Sequence, residues 1–142
     1  MKTWNYFLMA LTITFLVAAC SAQKGTVEIK PNGDEAVAEA DSIEHELETF
    51  DPEFETWYTL YNSPAQYRSE TYYETWNRQY VSAWNSNAMN PSKNDFFEPI
   101  VGWDPTVDYD FEIDHELFYY FQYVENVLGI QIMSGGPKSL PL

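Results

Sequence analysis

The sequence is poor in cysteine, in positive charge and in long apolar runs, and each shortage excludes a class of protein. One Cys in 142 residues rules out an intramolecular disulfide framework and any Cys-rich zinc site. Seven Lys and Arg stand against 22 Asp and Glu, for a formal net charge of −15. So few cations cannot neutralise a row of phosphates, and nucleic acid is excluded as a partner. The charge-free run Tyr6 to Ala19 is shorter than the ~20 residues a bilayer-crossing helix needs. No phosphate loop, zinc spacing or nucleophile elbow occurs, so no cofactor is implied and catalysis ranks behind binding and structural roles. What the chain does have is aromatic residues, 18% of the total, in a length that suits one small domain.

The first twenty residues carry the most specific pattern. Lys2 supplies a positive charge, Tyr6 to Ala19 an apolar segment of signal-peptide length, and Leu16-Val17-Ala18-Ala19-Cys20 follows. This resembles a bacterial lipoprotein signal, with an aliphatic residue three before the Cys and two small residues that let a peptidase reach the backbone. The resemblance implies cleavage after residue 19 and attachment of diacylglycerol to the Cys20 thiol, the only thiol in the chain. Acyl chains anchor at about 0.8 kcal/mol per buried CH₂, so the membrane is an expected partner without any amphipathic helix. Ser21 after the Cys, rather than Asp, resembles the outer-membrane sorting pattern, and the expected location is the outer membrane, facing the periplasm.

From Ser21 to about Thr49 the residues are small and acidic, including Asp34, Glu35, Glu39, Asp41, Glu44, Glu46 and Glu48, with no aromatic. Like charge with little hydrophobicity predicts a flexible tether over residues 20–49. Within it, Val27, Ile29 and the turn-like Pro31-Asn32-Gly33-Asp34 can form a brief hairpin. Residues 50–133 read as the aromatic-rich globular domain, and 134–142 as a frayed tail. Pro52 behind Asp51 predicts a helix over Glu53 to Tyr61, and Ser63 with Gln66 suggests a capping box. Tyr72, Trp76, Tyr80 and Trp84 recur every four residues and predict a helix with one aromatic stripe, flanked by Tyr73, Asn77 and Val81. Glu74 and Arg78 suit a solvent-exposed pair.

Asn94 to Pro105 reads as a loop. Thr106 to Asp114 alternates apolar Val107, Tyr109, Phe111 and Ile113 with acids, which predicts a half-buried strand. Asp114 would cap a following helix through Leu117, Phe121, Val124 and Leu128, closed by Gly129. Ile130 to Ile132 could add a last strand. The fold class expected is α+β, mostly helical: one small domain with two or three helices and one or two short strands.

The candidate sites are few. Asp108, Asp110 and Glu112 have the spacing that opens a calcium loop, but Ile113 and Tyr119 stand where that loop needs Gly and Glu. Carboxylates on one strand face could still share a divalent ion. His115, beside Asp114 and Glu116, reads as a hydrated helix-start residue and His45 as part of the tether. Asn77, Trp84, Asn85 and Trp103, with Trp57 and Trp76, are the candidates for ligand contact. Burial is the prior expectation for the rings, because aliphatic residues are too few to build a core alone.

The run Tyr72-Tyr73-x-x-Trp76-Asn77-Arg78-Gln79-Tyr80-Val81-x-x-Trp84-Asn85, with Asp108-Tyr109 and Leu117-Phe118-Tyr119-Tyr120-Phe121, is similar to a family of small uncharacterised bacterial envelope lipoproteins over about Trp57 to Met133. That resemblance implies no activity and no catalytic residues. The expected role is an interaction or structural module presented to an envelope partner. Carbohydrate or glycan binding, helped by a divalent cation, is the alternative.

Overall fold

The computed structural model describes residues 23–31 and 45–138. The expected leader with Cys20, the expected turn at residues 32–34, most of the acidic run and residues 139–142 lie outside the described residues. Among the described residues, strands β1 (Val27–Pro31) and β2 (His45–Thr49) precede helices α1 (Pro52–Tyr61), α2 (Glu70–Ala88) and α3 (Phe111–Asn126). A single 3-10 turn at Pro64–Gln66 joins the first two helices. The class is α+β, mostly helical, in one small domain.

The strands pair antiparallel with Val27 opposite Thr49 and Pro31 opposite His45. Val27 is 0% exposed, and Ile29 and Leu47 are buried with it. Period two explains the pattern, since alternate residues of a strand share one face. The flexible-tether expectation is therefore overturned for these two segments. Three apolar side chains reach the core, and their burial offsets the ordering that the acidic composition argued against. Residues 96–101 run parallel to the other edge of β1. Gly25 N–H donates to Phe96 O and Ile29 N–H to Val101 O, both at 2.9 Å. The expected loop thus serves as an irregular third ribbon. Gly102 closes it with φ +80, and a Cβ there would lie 2.0 Å from Ile29 O.

Asp51 caps α1 as expected: Oδ1 accepts from Glu53 N–H and Phe54 N–H. The Ser63 capping box does not form, and Ser63 makes no side-chain cap bond. In α2, capped by Ser69, the buried residues are Tyr73, Asn77, Tyr80, Val81, Trp84 and Asn87. Tyr72 and Trp76 are half-buried on the flank. The face has turned relative to the expected stripe because a 3.6-residue period alternates steps of four and three, whereas four-residue steps drift 40° each. Glu74 and Arg78 form no ion pair among the described residues, where the pairs are Lys24–Glu98, Lys30–Glu28 and Lys30–Glu48.

The strand expected over Thr106 to Asp114 is absent. Phe111 onward is helical, and Asp110 caps α3 by accepting from Ile113 N–H at 3.0 Å. Ile113 and Leu117 are four apart and both buried, so a helix anchored downstream extends back through positions that also alternate. Both edges of β1 are already taken. Asp114, the expected cap, is instead buried inside the helix. All residues from Leu117 to Val124 are buried, as in a central helix packed on every side. Gly129 takes the left-handed conformation, φ +69. Ile130 to Ile132 forms no strand; Glu125 Oε1 accepts from Ile132 and Met133 N–H instead, each at 3.0 Å. The segment expected to fray continues over the core as far as Gly136, where a Cβ would lie 2.2 Å from Tyr80 Oη.

Candidate functional site

The densest polar chemistry inside the domain surrounds His115, which the sequence placed at a hydrated helix start. Because α3 begins four residues earlier, at Phe111, His115 faces inward and is 2% exposed. Five rings enclose it: Tyr58 from α1, Tyr67 from the linker, Tyr73 from α2, and Phe111 and Tyr119 from α3 itself. Their centroids lie 4.3 to 5.9 Å from the imidazole. Tyr58 Oη meets Nδ1 at 3.0 Å, and Nε2 has no hydrogen-bond partner. Desolvation pushes the imidazole down to about 4, so at neutral pH it is uncharged and rests against the rings as an aromatic. Burial pushes the Tyr119 hydroxyl up to about 12 and the Tyr58 hydroxyl higher still.

Two carboxyl groups flank this cage. Asp114 is buried beneath α2, where Asn77 Nδ2 donates to both its backbone O and its Oδ1 at 2.8 Å. Desolvation raises Asp114 to about 6 despite that bond. Glu116 is raised to about 7, first by burial and then by Glu55, Glu112 and Glu46. Two carboxyls with raised pKa beside a neutral imidazole resemble acid–base machinery. Among the described residues, however, no thiol stands with them, and the unpartnered Nε2 is buried.

The residues singled out from sequence are dispersed. Asn77 serves Asp114, Asn85 Oδ1 accepts from Ile100 N–H, and Trp84 Nε1 donates to Glu98 O at 2.7 Å. Trp84 is 0% exposed; Trp57, Trp76 and Trp103 are half-buried against the core. Trp103 lines a cleft of about 10 Å³ with Glu74, Arg78, Pro105, Val107, Tyr109 and Asp114, room for one water. The divalent-ion expectation loses its geometry together with the strand. Asp110 is occupied as a cap, Glu112 stands in the first helical turn, and no cluster of three or more His, Cys, Asp or Glu suited to a metal occurs among the described residues. His45 is not in a tether: it packs edge-on against Tyr109 with centroids 4.9 Å apart.

Sequence reasoning missed the cage because its five rings come from four segments. The one available signal was the helical spacing of Phe111, His115 and Tyr119. A second missed unit joins Gln122, Tyr80 and Glu125. Gln122 Nε2 donates to Tyr80 Oη at 3.0 Å, and Tyr80 Oη donates to Glu125 Oε2 at 2.9 Å.

Fold and site together define a small α+β protein whose buried polar side chains mostly hydrogen-bond within the domain. The chain belongs to a family of unknown function, DUF6146, whose model matches residues 4–136. No curated protein and no solved structure shows significant similarity to it. No described helix is long and apolar enough to cross a membrane.

Proposed function

We propose that this protein is a lipid-anchored component of the bacterial envelope, acylated at Cys20, whose aromatic domain acts as an interaction or structural module. The observation that carries the reading is the placement of the sole cysteine directly after Leu16-Val17-Ala18-Ala19. Ser21 favours delivery to the outer membrane, with the domain in the periplasm. Support for the module role comes from the way most interior polar groups are consumed in holding the fold. Leu60 at 75% and Tyr61 at 40% exposure add an outward apolar face on α1, where Tyr61 stacks on Trp57 at 5.1 Å.

Glycan binding has weaker support. Trp84 is fully enclosed, and the cleft beside Trp103 has room for one water rather than a sugar ring. Mass spectrometry of the native amino terminus tests the anchor: a diacylglyceryl-modified Cys20 is expected, and an intact or unacylated terminus overturns it. Crosslinking in intact envelopes followed by purification tests the module role. A defined complex that is lost on Leu60→Asp is expected, and recovery of the protein alone overturns it.

A further inference from the structure

We propose that the domain rests directly on the bilayer that holds its anchor, with the edge formed by Gln23, Lys24 and Phe50 facing the lipid. This rests on acylation at Cys20. The sequence suggested a spacer of some thirty residues, but the fold removes it. Gly25 is buried and already bonded to Phe96 O, and Val27 is 0% exposed in the core. Gln23 Nε2 donates to the Asp51 carboxylate at 2.6 Å, and Lys24 pairs with Glu98. Three residue steps separate Cys20 from Gln23, a reach of about 11 Å even fully extended. That is little more than the ~8 Å Debye length at physiological salt, so the acidic domain cannot retreat from the headgroups.

The same edge carries an outward ring. Phe50 lies between Thr49, the partner of Val27, and Asp51, the partner of Gln23, and it is 63% exposed. An apolar ring at the point where a lipid-bearing chain leaves the fold belongs at the boundary between headgroups and acyl chains. The opposite end of β1 lies about 20 Å away, six strand steps from Gly25 to Pro31. There His45 pairs with Pro31 and packs against Tyr109, two residues from the exposed Val107.

The test uses the full acylated protein in vesicles of equal phosphatidylethanolamine and phosphatidylglycerol, doped with a lipid bearing a nitroxide on its headgroup. Since acylation consumes the Cys20 thiol, Phe50→Cys and Val107→Cys each offer one site for a bimane fluorophore. Quenching several-fold stronger at position 50 than at 107 is expected. A flexible Gly-Ser insertion of ~20 residues after Ser21, worth roughly 25 Å of mean reach, should shrink that difference. Equal quenching at both positions in protein whose Cys20 is acylated by mass overturns the proposal and leaves the anchor standing. An unmodified Cys20 overturns both.

Discussion

Burial at His115 reverses what exposure would have meant for that residue, and pH reads the reversal. Its folded pKa near 4 lies below the ordinary 6.5, so between those values the unfolded chain binds the proton and the folded chain does not. Acidification through that window therefore costs stability, about 3 kcal/mol at ~1.4 kcal/mol per pH decade. Asp114 and Glu116 act in the opposite sense. Their folded pKa values of about 6 and 7 exceed the ordinary 3.8 and 4.5, so the fold takes up their protons first and gains stability as pH falls from about 8 to 4. Two groups outweigh one, and the melting temperature is expected to rise between pH 8 and 5. Replacing the imidazole, as in His115→Phe, should steepen that rise, while Glu116→Gln should flatten it; melting curves at several pH values check both. The sequence displayed three titratable neighbours at 114–116. It could not display that two of them point inward, because that depends on where the helix begins.

At the scale of elements, termini were decided by hydrogen bonds that single residues supply. Asp51 was legible as a cap because Pro52 follows it and an N–H-free residue suits the first helical position. Asp110 was not, because the alternating residues around it fit a strand as well as a helix. Asp110→Ala should cost about 1 kcal/mol, measured by denaturant unfolding. Asp108, exposed and outside the helix, should tolerate Asn with no measurable change, and millimolar calcium should leave the melting temperature where it was. The ribbon beside β1 has its own lock. At Gly102 a side chain would meet Ile29 O at 2.0 Å with φ in the left-handed region. Gly102→Ala is expected to destabilise by at least ~2 kcal/mol, since chirality and overlap add. No local pattern marks this glycine, whose constraint comes from a strand some seventy residues earlier.

For the whole molecule, the largest difference from the sequence reading is where the domain begins. Val27, Ile29 and Leu47 belong to the same core as Trp84 and Phe121, so residues 23–31 are a structural part rather than a leash. Deleting them should abolish cooperative unfolding in circular dichroism, whereas a true tether could be cut without effect. Two buried aliphatic residues carry about 2–5 kcal/mol each when removed, and a small domain has about 5–15 kcal/mol in all. Composition and short spacings by themselves determined the size class, the dense aromatic interior, a helix starting behind Pro52, a helix carrying Tyr72 to Trp84, and the cysteine pattern on which the anchor reading depends. These are properties of counts and short spacings, which a linear string records. Tertiary structure alone decided that an acidic segment lends three apolar side chains to the core, that an alternating run becomes the first turn of a helix, and that five rings from four segments close on His115. Each depends on groups far apart in sequence removing one another from water, and that free energy exists only after they have met.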